Sequence, residues 1–240
     1  MRALLDFLLP PRCRLCGRST RRQPLPWVCQ GCWLAIEYAT PPWCAQCGQP
    51  LAAPAEAIAS PGHRCGACLL TPPPFERARA VGLYRGTLRE ILHLAKYQGV
   101  YGLLAPLAEL LQAQFAFHWG DIALDALVPV PLHRQRLRQR EFDQALVLAR
   151  GLARACGIPL WADVLVRQRA TVSQVGLNPA QRRQNVRGAF ALRHAERCAG
   201  AALLLIDDVY TTGATAGECA RLLRRAGARW IGVYTVARVA

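Results

Sequence analysis

From residue 75 onwards, hydrophobic positions follow two periods, one typical of amphipathic helices and one typical of buried strands. Residues 142–156 place apolar side chains at helical spacing and stop at Gly157, a common signal for the end of a helix. The pattern predicts strands over 78–84, 126–130, 165–168, 189–192, 202–209 and 230–237, and helices over 88–96, 103–117, 142–156 and 214–226. Strands that alternate with helices predict an α/β fold whose parallel sheet is covered on both faces.

A run of prolines, Thr71-Pro72-Pro73-Pro74, separates this alternating pattern from a different N-terminal segment. No helix or central strand continues through three successive prolines, because each lacks a backbone N–H donor. The sequence therefore predicts two units, an N-terminal domain over residues 1–71 and an α/β domain over 75–240. A chain of 240 residues is long enough for both.

The apolar runs are too short for a chain that crosses a membrane. The strongest of them, such as residues 201–206, fall far below the roughly 20 apolar residues of a transmembrane helix. The first ten residues also lack the apolar length and the cleavage site of a secretory signal. We therefore expect a cytoplasmic protein without membrane insertion.

Cysteines are concentrated in the N-terminal unit. Eight of the 11 lie between residues 13 and 68, as four pairs of the form C-x-x-C. Such a turn brings two thiolates onto one metal ion, and two turns complete a tetrahedral site, so the sequence predicts two structural zinc ions. The predicted ligands are Cys13, Cys16, Cys29 and Cys32 for one ion, and Cys44, Cys47, Cys65 and Cys68 for the other.

Other interpretations of the cysteines stay open at this stage. The pairs are also compatible with disulfides, a redox motif or another metal, although a cytoplasmic location argues against the first two. The turns can pair sequentially, through local hairpins, or in a cross-braced arrangement that alternates the pairs, and we expect the sequential one. His63 is then a loop residue, since no cysteine ligand is missing.

The net charge is +15, from 30 basic and 15 acidic residues. Such a charge favours polyanionic partners and says little about the fold. Basic residues cluster at 134–140 and at 182–187, in the larger domain. We expect single-stranded DNA to bind there with little sequence preference. For any one of these arginines, a solvated helix or loop face is an equally good interpretation.

The most informative stretch connects the strand at 202–209 to the helix at 214–226. It delivers Asp207 and Asp208 at the carboxyl end of a buried strand, and Thr211-Thr212-Gly213-Ala214-Thr215 follows. Ligands of parallel α/β sheets bind at this end. The turn can aim amides and hydroxyls at one phosphate, at the positive end of the helix dipole. Because carboxylates would repel that phosphate, we assign them to sugar hydroxyls, and the stretch predicts a ribose 5-phosphate site.

The string D-D-x-x-T-T-G-x-T resembles the motif with which type I phosphoribosyltransferases bind phosphoribosyl diphosphate (PRPP). By this resemblance Asp207 and Asp208 hold the ribose hydroxyls and take part in catalysis, and residues 211–215 hold the 5-phosphate. Mg²⁺ would bind together with PRPP. The expected PRPP-binding residues are Val130, Pro131, Leu132, Arg136, Arg140, Asp207, Asp208, Thr211, Thr212, Gly213, Ala214 and Thr215. The alternative is a strand that ends in two solvated aspartates before an ordinary helix cap.

A wider resemblance covers nearly the whole chain. It is similar to the ComF family (ComFC and GntX-like proteins), whose members join zinc-binding cysteine knuckles to a phosphoribosyltransferase domain and serve the uptake or use of external DNA. Glu141 and Asp143 depart from the Gly and Asn that are common in the family, and they add negative charge beside the diphosphate loop. The strings that carry the resemblance are Val128-Pro129-Val130-Pro131-Leu132-His133, Arg136-Leu137-x-x-Arg140-x-Phe142-x-Gln144, Thr171-x-x-Gln174-x-x-Leu177 and Arg183-x-Asn185-Val186-Arg187-Gly188-Ala189-Phe190.

The resemblance implies a type I phosphoribosyltransferase-like parallel sheet with an N-terminal four-cysteine zinc-ribbon module. It also implies a competence protein that acts in natural transformation on imported single-stranded DNA, with competence or DNA-processing proteins as further partners. Two functions stay open: a Mg²⁺-dependent phosphoribosyltransferase with an unassigned acceptor, and a non-catalytic module that senses PRPP or a nucleotide and binds DNA or protein.

Overall fold

Four parallel strands form the central sheet of the larger domain, in the order β1-β6-β5-β2. The structure is a computed structural model that describes residues 11–21, 23–51, 62–140, 142–172 and 176–240. A short antiparallel pair, β3 and β4, lies outside the main sheet. The strands β1 to β6 are Arg77–Leu83, Ala126–Pro129, Leu165–Arg167, Phe190–Leu192, Ala202–Tyr210 and Trp230–Arg238.

Helices cover both faces of this sheet, as the alternating pattern predicts. The helices α1 to α9 are Gln30–Leu34, Gly66–Leu70, Gly86–Tyr97, Leu104–Ala113, Phe115–Trp119, Arg134–Arg140, Gln144–Cys156, Pro179–Val186 and Ala214–Arg225. The core on one face contains residues of α3, α4 and α7, and the core on the other contains residues of α9 and the β3–β4 pair. The α/β class and the parallel sheet are thereby confirmed.

Two helices of the α/β domain, α6 and α8, are absent from the hydrophobic pattern. In α8, Val186 is the only buried residue of the helix, so there is no apolar stripe to detect. Its start is nevertheless fixed by a capping box, in which Asn178 and Gln181 exchange side chain to backbone hydrogen bonds of 2.9 Å. The arginine-rich run 134–140 forms α6. This helix is also polar, so it too has no apolar stripe to detect.

Backbone hydrogen bonds connect the cysteine-rich segment to β1, which is an edge strand of the sheet. The N–H of Ala39 donates to the carbonyl of Val81 at 2.9 Å, and the N–H of Ala78 donates to the carbonyl of Gln46 at 2.6 Å. We call the first predicted ligand set (Cys13, Cys16, Cys29 and Cys32) the first cysteine cluster and the other (Cys44, Cys47, Cys65 and Cys68) the second. Cys13 and Cys29 join the core beneath α3 and α4, and Cys44, Cys47 and Cys68 join the core beneath α9. The expected units 1–71 and 75–240 therefore share both cores, and their division stays a prediction.

Among the helices that the structure describes, none is long and apolar enough to span a lipid bilayer.

Candidate functional site

The acidic pair lies near the carboxyl end of β5, a central strand of the sheet. Successive side chains of a strand point to opposite faces. Leu204 and Ile206 pack in the core beneath α3, which places Asp208 on that same face. Asp207 belongs to the opposite face, which α9 covers. The two carboxyl groups therefore meet different neighbours.

Asp208 forms an ion pair with Lys96 of α3, with 2.6 Å between its Oδ2 atom and Lys96 Nζ. Only 13% of each side chain is exposed. Burial alone would lower the pKa of Lys96, but the carboxylate of Asp208 outweighs it and raises this pKa above the ordinary value. The ammonium group therefore stays charged beside the carboxylate of Asp208.

Asp207 is a weaker acid than an ordinary aspartate. Burial raises the pKa of Asp207 to about 8, and the negative charge of Asp208 adds to the shift. Its Oδ1 atom accepts a hydrogen bond of 2.8 Å from the backbone N–H of Asp208. Near neutral pH Asp207 is therefore mostly protonated in the free protein.

The turn after β5 has the backbone that a phosphate loop requires. Gly213 is the N-cap of α9 and has a φ of +73°, in the left-handed region that favours glycine. A β-carbon at this position would also overlap the hydroxyl of Tyr210. The first amides of α9 have no acceptor within the helix, so they are suited to an anion.

The segment 130–132 follows β2 and faces the same site. Asp143 fixes it, because its Oδ2 atom accepts from the N–H of Leu132 and its Oδ1 atom accepts from the N–H of Leu146, both at 3.1 Å. Burial raises the pKa of Asp143. This departure from the family pattern thus joins the predicted diphosphate loop to the start of α7. Glu141 and Gln174 lie outside the described residues.

These segments enclose a cavity of about 690 Å³, within the usual range for small-molecule sites. Arg136 donates to the carbonyl of Thr171 at 3.4 Å, and Arg167 donates to the Thr171 hydroxyl. These contacts hold the segment after β3 against the cavity. The basic residues that line it are Arg89, Lys96, Arg136, Arg167 and Arg182.

The structure brings most of the predicted ligand-binding residues together. Those that line the cavity are Val130, Pro131, Leu132, Arg136, Asp207, Asp208, Thr211, Gly213, Ala214 and Thr215. Thr212 is exposed and lies outside the cavity lining. Arg140 belongs to α6, and its side chain is not among the described ones. Their roles in binding and catalysis stay predictions.

One wall of the cavity consists of residues that the sequence did not predict as site residues. This wall comes from the end of β1 and from α3. Tyr84 and His93 lie on it, with 3.1 Å between the Tyr84 hydroxyl and His93 Nε2, and Lys96 and Tyr97 follow one helical turn later. One signal was available, because Lys96 is the single lysine among 30 basic residues. The ammonium group of lysine is a more compact charge than the guanidinium group of the other basic residues.

The eight paired cysteines form two compact clusters in the expected sequential grouping. Cys13 and Cys32 have their sulfurs 3.8 Å apart, and Cys47 and Cys65 have theirs 3.7 Å apart. A tetrahedron with metal–sulfur bonds of about 2.3 Å has edges of about 3.8 Å. Both thiolate sets therefore fit zinc. Cys156, Cys198 and Cys219 lie outside the clusters as free thiols.

Comparison with known proteins supports the zinc-ribbon interpretation of the N-terminal segment. A family model described as "Double zinc ribbon domain" matches residues 4–69. The chain also resembles a solved structure, glutamine PRPP amidotransferase from B. subtilis complexed with ADP and GMP. In that comparison the sequence identity is 25% and the TM-score 0.38, over 55% of this chain and 26% of that chain.

Curated relatives align over almost the full length. The DNA utilization protein YhgH of Salmonella typhimurium is 33% identical over 237 residues, which cover 96% of this chain and 98% of the relative. Competence protein F of Haemophilus influenzae is 32% identical over 215 residues, 88% of this chain and 90% of the relative. Competence protein ComFC of Bacillus subtilis is 25% identical over 221 residues, 88% and 84% of the two chains. The chain therefore belongs to the ComF/YhgH family of DNA utilization and competence proteins.

Proposed function

We propose that the chain binds PRPP, or a related ribose 5-phosphate ligand, in the cavity at the end of β5. The observation that supports this most is that an acidic pair, a Thr-Gly loop and basic side chains of separate segments surround one cavity. The ribose hydroxyls donate to Asp207 and Asp208, and the 5-phosphate accepts from the loop at 211–215. The diphosphate lies toward residues 130–132 and Arg136.

Mg²⁺ fits the donor set of this site, because carboxylate oxygens and substrate phosphates are its preferred ligands. Asp207 and Asp208 are the residues that would hold it, and the ion would screen the charge of the diphosphate. Lys96 pairs with the carboxylate of Asp208 at 2.6 Å and holds this side chain in place before the ligand arrives.

The reaction that suits this site is phosphoribosyl transfer. The acceptor forms a bond to C1 of the ribose as the C1–O bond to the diphosphate breaks, and the acceptor loses its proton to solvent. The carboxylate of Asp208 stabilises the positive charge that develops on the ring. Binding without transfer, as a sensor of PRPP or a nucleotide, is the second candidate. Diphosphate release in the presence of nucleobases or single-stranded DNA distinguishes the two.

Titration calorimetry with PRPP and Mg²⁺ tests the ligand. Asp207→Asn keeps the shape of a carboxyl that is neutral in the free protein, so the fold should persist while a charged acceptor is lost. Charged hydrogen bonds contribute about 1.5–3 kcal/mol, so affinity should fall about tenfold or more.

Because PRPP binding favours ionised Asp207, wild-type affinity should also rise with pH up to about 8. The affinity of Asp207→Asn for PRPP should no longer rise with pH through the titration of residue 207. Only the pH dependence that comes from the phosphates of PRPP should remain. The matched control is Asp163→Asn, which removes an exposed carboxylate paired with Arg197 outside the cavity. Equal affinity and an equal pH profile for Asp207→Asn and the wild type would place the ribose elsewhere.

We also propose that the chain handles single-stranded DNA, with competence or DNA-processing proteins as partners. Relatives are named for DNA utilization and for competence. A second cavity, of about 740 Å³, lies between α8 and α9 and is lined by Arg183, Arg187, Arg221 and Arg225. We call it the arginine groove. Its shape and charge suit a phosphate backbone.

The arginine groove is built around one buried carboxylate. Glu218 accepts from the N–H of Gly188 at 2.8 Å and pairs with Arg221, which joins α9 to the end of α8. Arg183, Arg187 and Arg225 are exposed, and within the described ranges no hydrogen bond or ion pair engages their guanidinium groups. Three cationic groups are therefore available to phosphates.

Replacing Arg183, Arg187 and Arg225 with glutamine should weaken binding of an oligo(dT) strand and flatten its salt dependence. Each lost phosphate contact on a single strand reduces the slope of log K against log salt by about 0.7, so the triple variant should lose up to about 2 units. Fluorescence anisotropy over a range of salt concentrations measures this slope.

The matched control replaces Arg14, Arg150 and Arg154, which are also exposed. Their neighbours in the chain pack in the core on the other face of the sheet, away from the arginine groove. It makes the same change in net charge. If both triple variants flatten the slope equally, binding follows overall charge and the arginine groove has no special role.

A further inference from the structure

Arg238, the last residue of β6, is a buried cation that reaches the second cysteine cluster. Only 3% of it is exposed. Its Nη1 atom donates to the carbonyl oxygen of Cys47, and its Nη2 atom donates to Oε1 of Gln49. A buried guanidinium needs such acceptors, because desolvation without them is costly. The backbone next to a cysteine ligand therefore helps to keep this side chain in place.

The other side of the Arg238 guanidinium lies on Tyr210. The distance from its central carbon to the centroid of the Tyr210 ring is 5.1 Å, which is within the range of a cation–π contact. Tyr210 is the last residue of β5 and pairs with Arg238 across the parallel ladder. Its ring is buried and also meets the ring of Phe75 edge-on, with 6.3 Å between centroids.

Tyr210 in turn supports the loop that we assign to the 5-phosphate. Its hydroxyl occupies the space where a β-carbon of Gly213 would lie. The carbonyl of Gly213 accepts from the N–H of Gly217 at 2.7 Å, so the position of Gly213 sets where α9 begins. A displacement of the Tyr210 ring would therefore move the loop that receives the phosphate.

We propose that Arg238 is a positioning residue that couples the second cysteine cluster to the phosphate loop, so that metal occupancy of this cluster sets the affinity for a ribose 5-phosphate ligand. The coupling rests on the proposed function of the cavity. Without its metal the second cluster no longer fixes the carbonyl of Cys47, and Arg238 loses an acceptor. The guanidinium then moves toward water and releases Tyr210 and the loop.

The first cysteine cluster provides the internal comparison. Its buried residues Cys13 and Cys29 pack in the core beneath α3 and α4, on the opposite face from Tyr210. Loss of a metal ion there should not reach the phosphate loop by the route through Arg238. Each cluster consists of four cysteines. If removing one metal ion affects the phosphate loop more than removing the other, the cause is therefore the contacts of that cluster and not the loss of zinc itself.

The experiment compares Cys16→Ser, Cys68→Ser and Arg238→Lys in the full chain. It uses zinc content, calorimetric titration with ribose 5-phosphate, and hydrogen exchange of the amides at 211–217. Lysine keeps the charge but cannot replace the planar fork that contacts two acceptors. Cys68→Ser and Arg238→Lys should bind ribose 5-phosphate about tenfold more weakly and exchange these amides faster. Cys16→Ser should change the exchange of these amides less than Cys68→Ser does, and Arg238→Lys should keep both metal ions.

Unchanged loop exchange in Arg238→Lys would overturn the coupling. So would equal effects of Cys16→Ser and Cys68→Ser on the loop. Hydrogen exchange reports on the loop whether or not the ligand binds, so Arg238→Lys decides the coupling even if Cys68→Ser fails to fold. Failure of the wild type to bind ribose 5-phosphate or PRPP contradicts the proposed function instead.

Discussion

Removing the metal from both cysteine clusters is expected to unfold the N-terminal unit and to destabilise the α/β domain with it. The segment contains only two helices of five residues each, α1 and α2, in its described parts. Structural zinc contributes about 10–16 kcal/mol in small zinc domains, which is comparable to the whole stability of a typical domain. Because both clusters belong to cores shared with the sheet, the loss should spread beyond residue 71.

Metal analysis and thermal unfolding with and without a chelator test this expectation. The unstripped chain should hold two zinc ions, one for each four-cysteine cluster. Cys156→Ser is the matched control, because Cys156 is a thiol outside the clusters and its loss should leave the zinc content unchanged. Less than one zinc ion per chain, or an unfolding curve that a chelator does not alter, would contradict the account.

Replacing Lys96 with methionine should be the most destabilising single substitution in the cavity. The variant leaves the carboxylate of Asp208 largely buried without its partner ammonium, since only 13% of that side chain is exposed. Breaking a buried pair in this way costs about 3–5 kcal/mol. Urea unfolding near neutral pH measures the loss.

Two further variants separate the buried charge from other causes. The double variant Lys96→Met with Asp208→Asn has no uncompensated charge and should recover much of the lost stability. Arg85→Met breaks an ion pair with Glu37 whose side chains are 59% and 48% exposed, and it should cost below about 1 kcal/mol. A loss for Lys96→Met as small as that for Arg85→Met would show that the Lys96 pair contributes little.

The features that the sequence predicts well are local ones. The C-x-x-C turns and the Asp207-Asp208 pair with its Thr-Gly turn are visible because a few neighbouring residues carry the whole signal. The apolar run of β5 is visible for the same reason. A strand that is buried on both faces is a nearly continuous apolar run, so its own residues identify it. The strand boundaries agree with the prediction to within one or two residues.

What the sequence did not show depends on contacts between distant segments. Lys96 meets Asp208 only because α3 packs on the face of the sheet to which Asp208 points. Arg238 meets Cys47 because β6 ends beside the second cluster. Helix α8 carries its signal in the capping box of Asn178 and Gln181 rather than in an apolar stripe, so hydrophobic periodicity missed it.

A crystal structure of the chain with PRPP and Mg²⁺ shows directly whether the cavity at the end of β5 is the PRPP site. We expect the ribose hydroxyls within about 3.2 Å of the carboxyl oxygens of Asp207 and Asp208. We also expect the 5-phosphate on the amides and hydroxyls of the loop at 211–215, with the diphosphate toward residues 130–132. A saturated complex with PRPP bound in the arginine groove, or with its phosphate away from that loop, would exclude the proposed site.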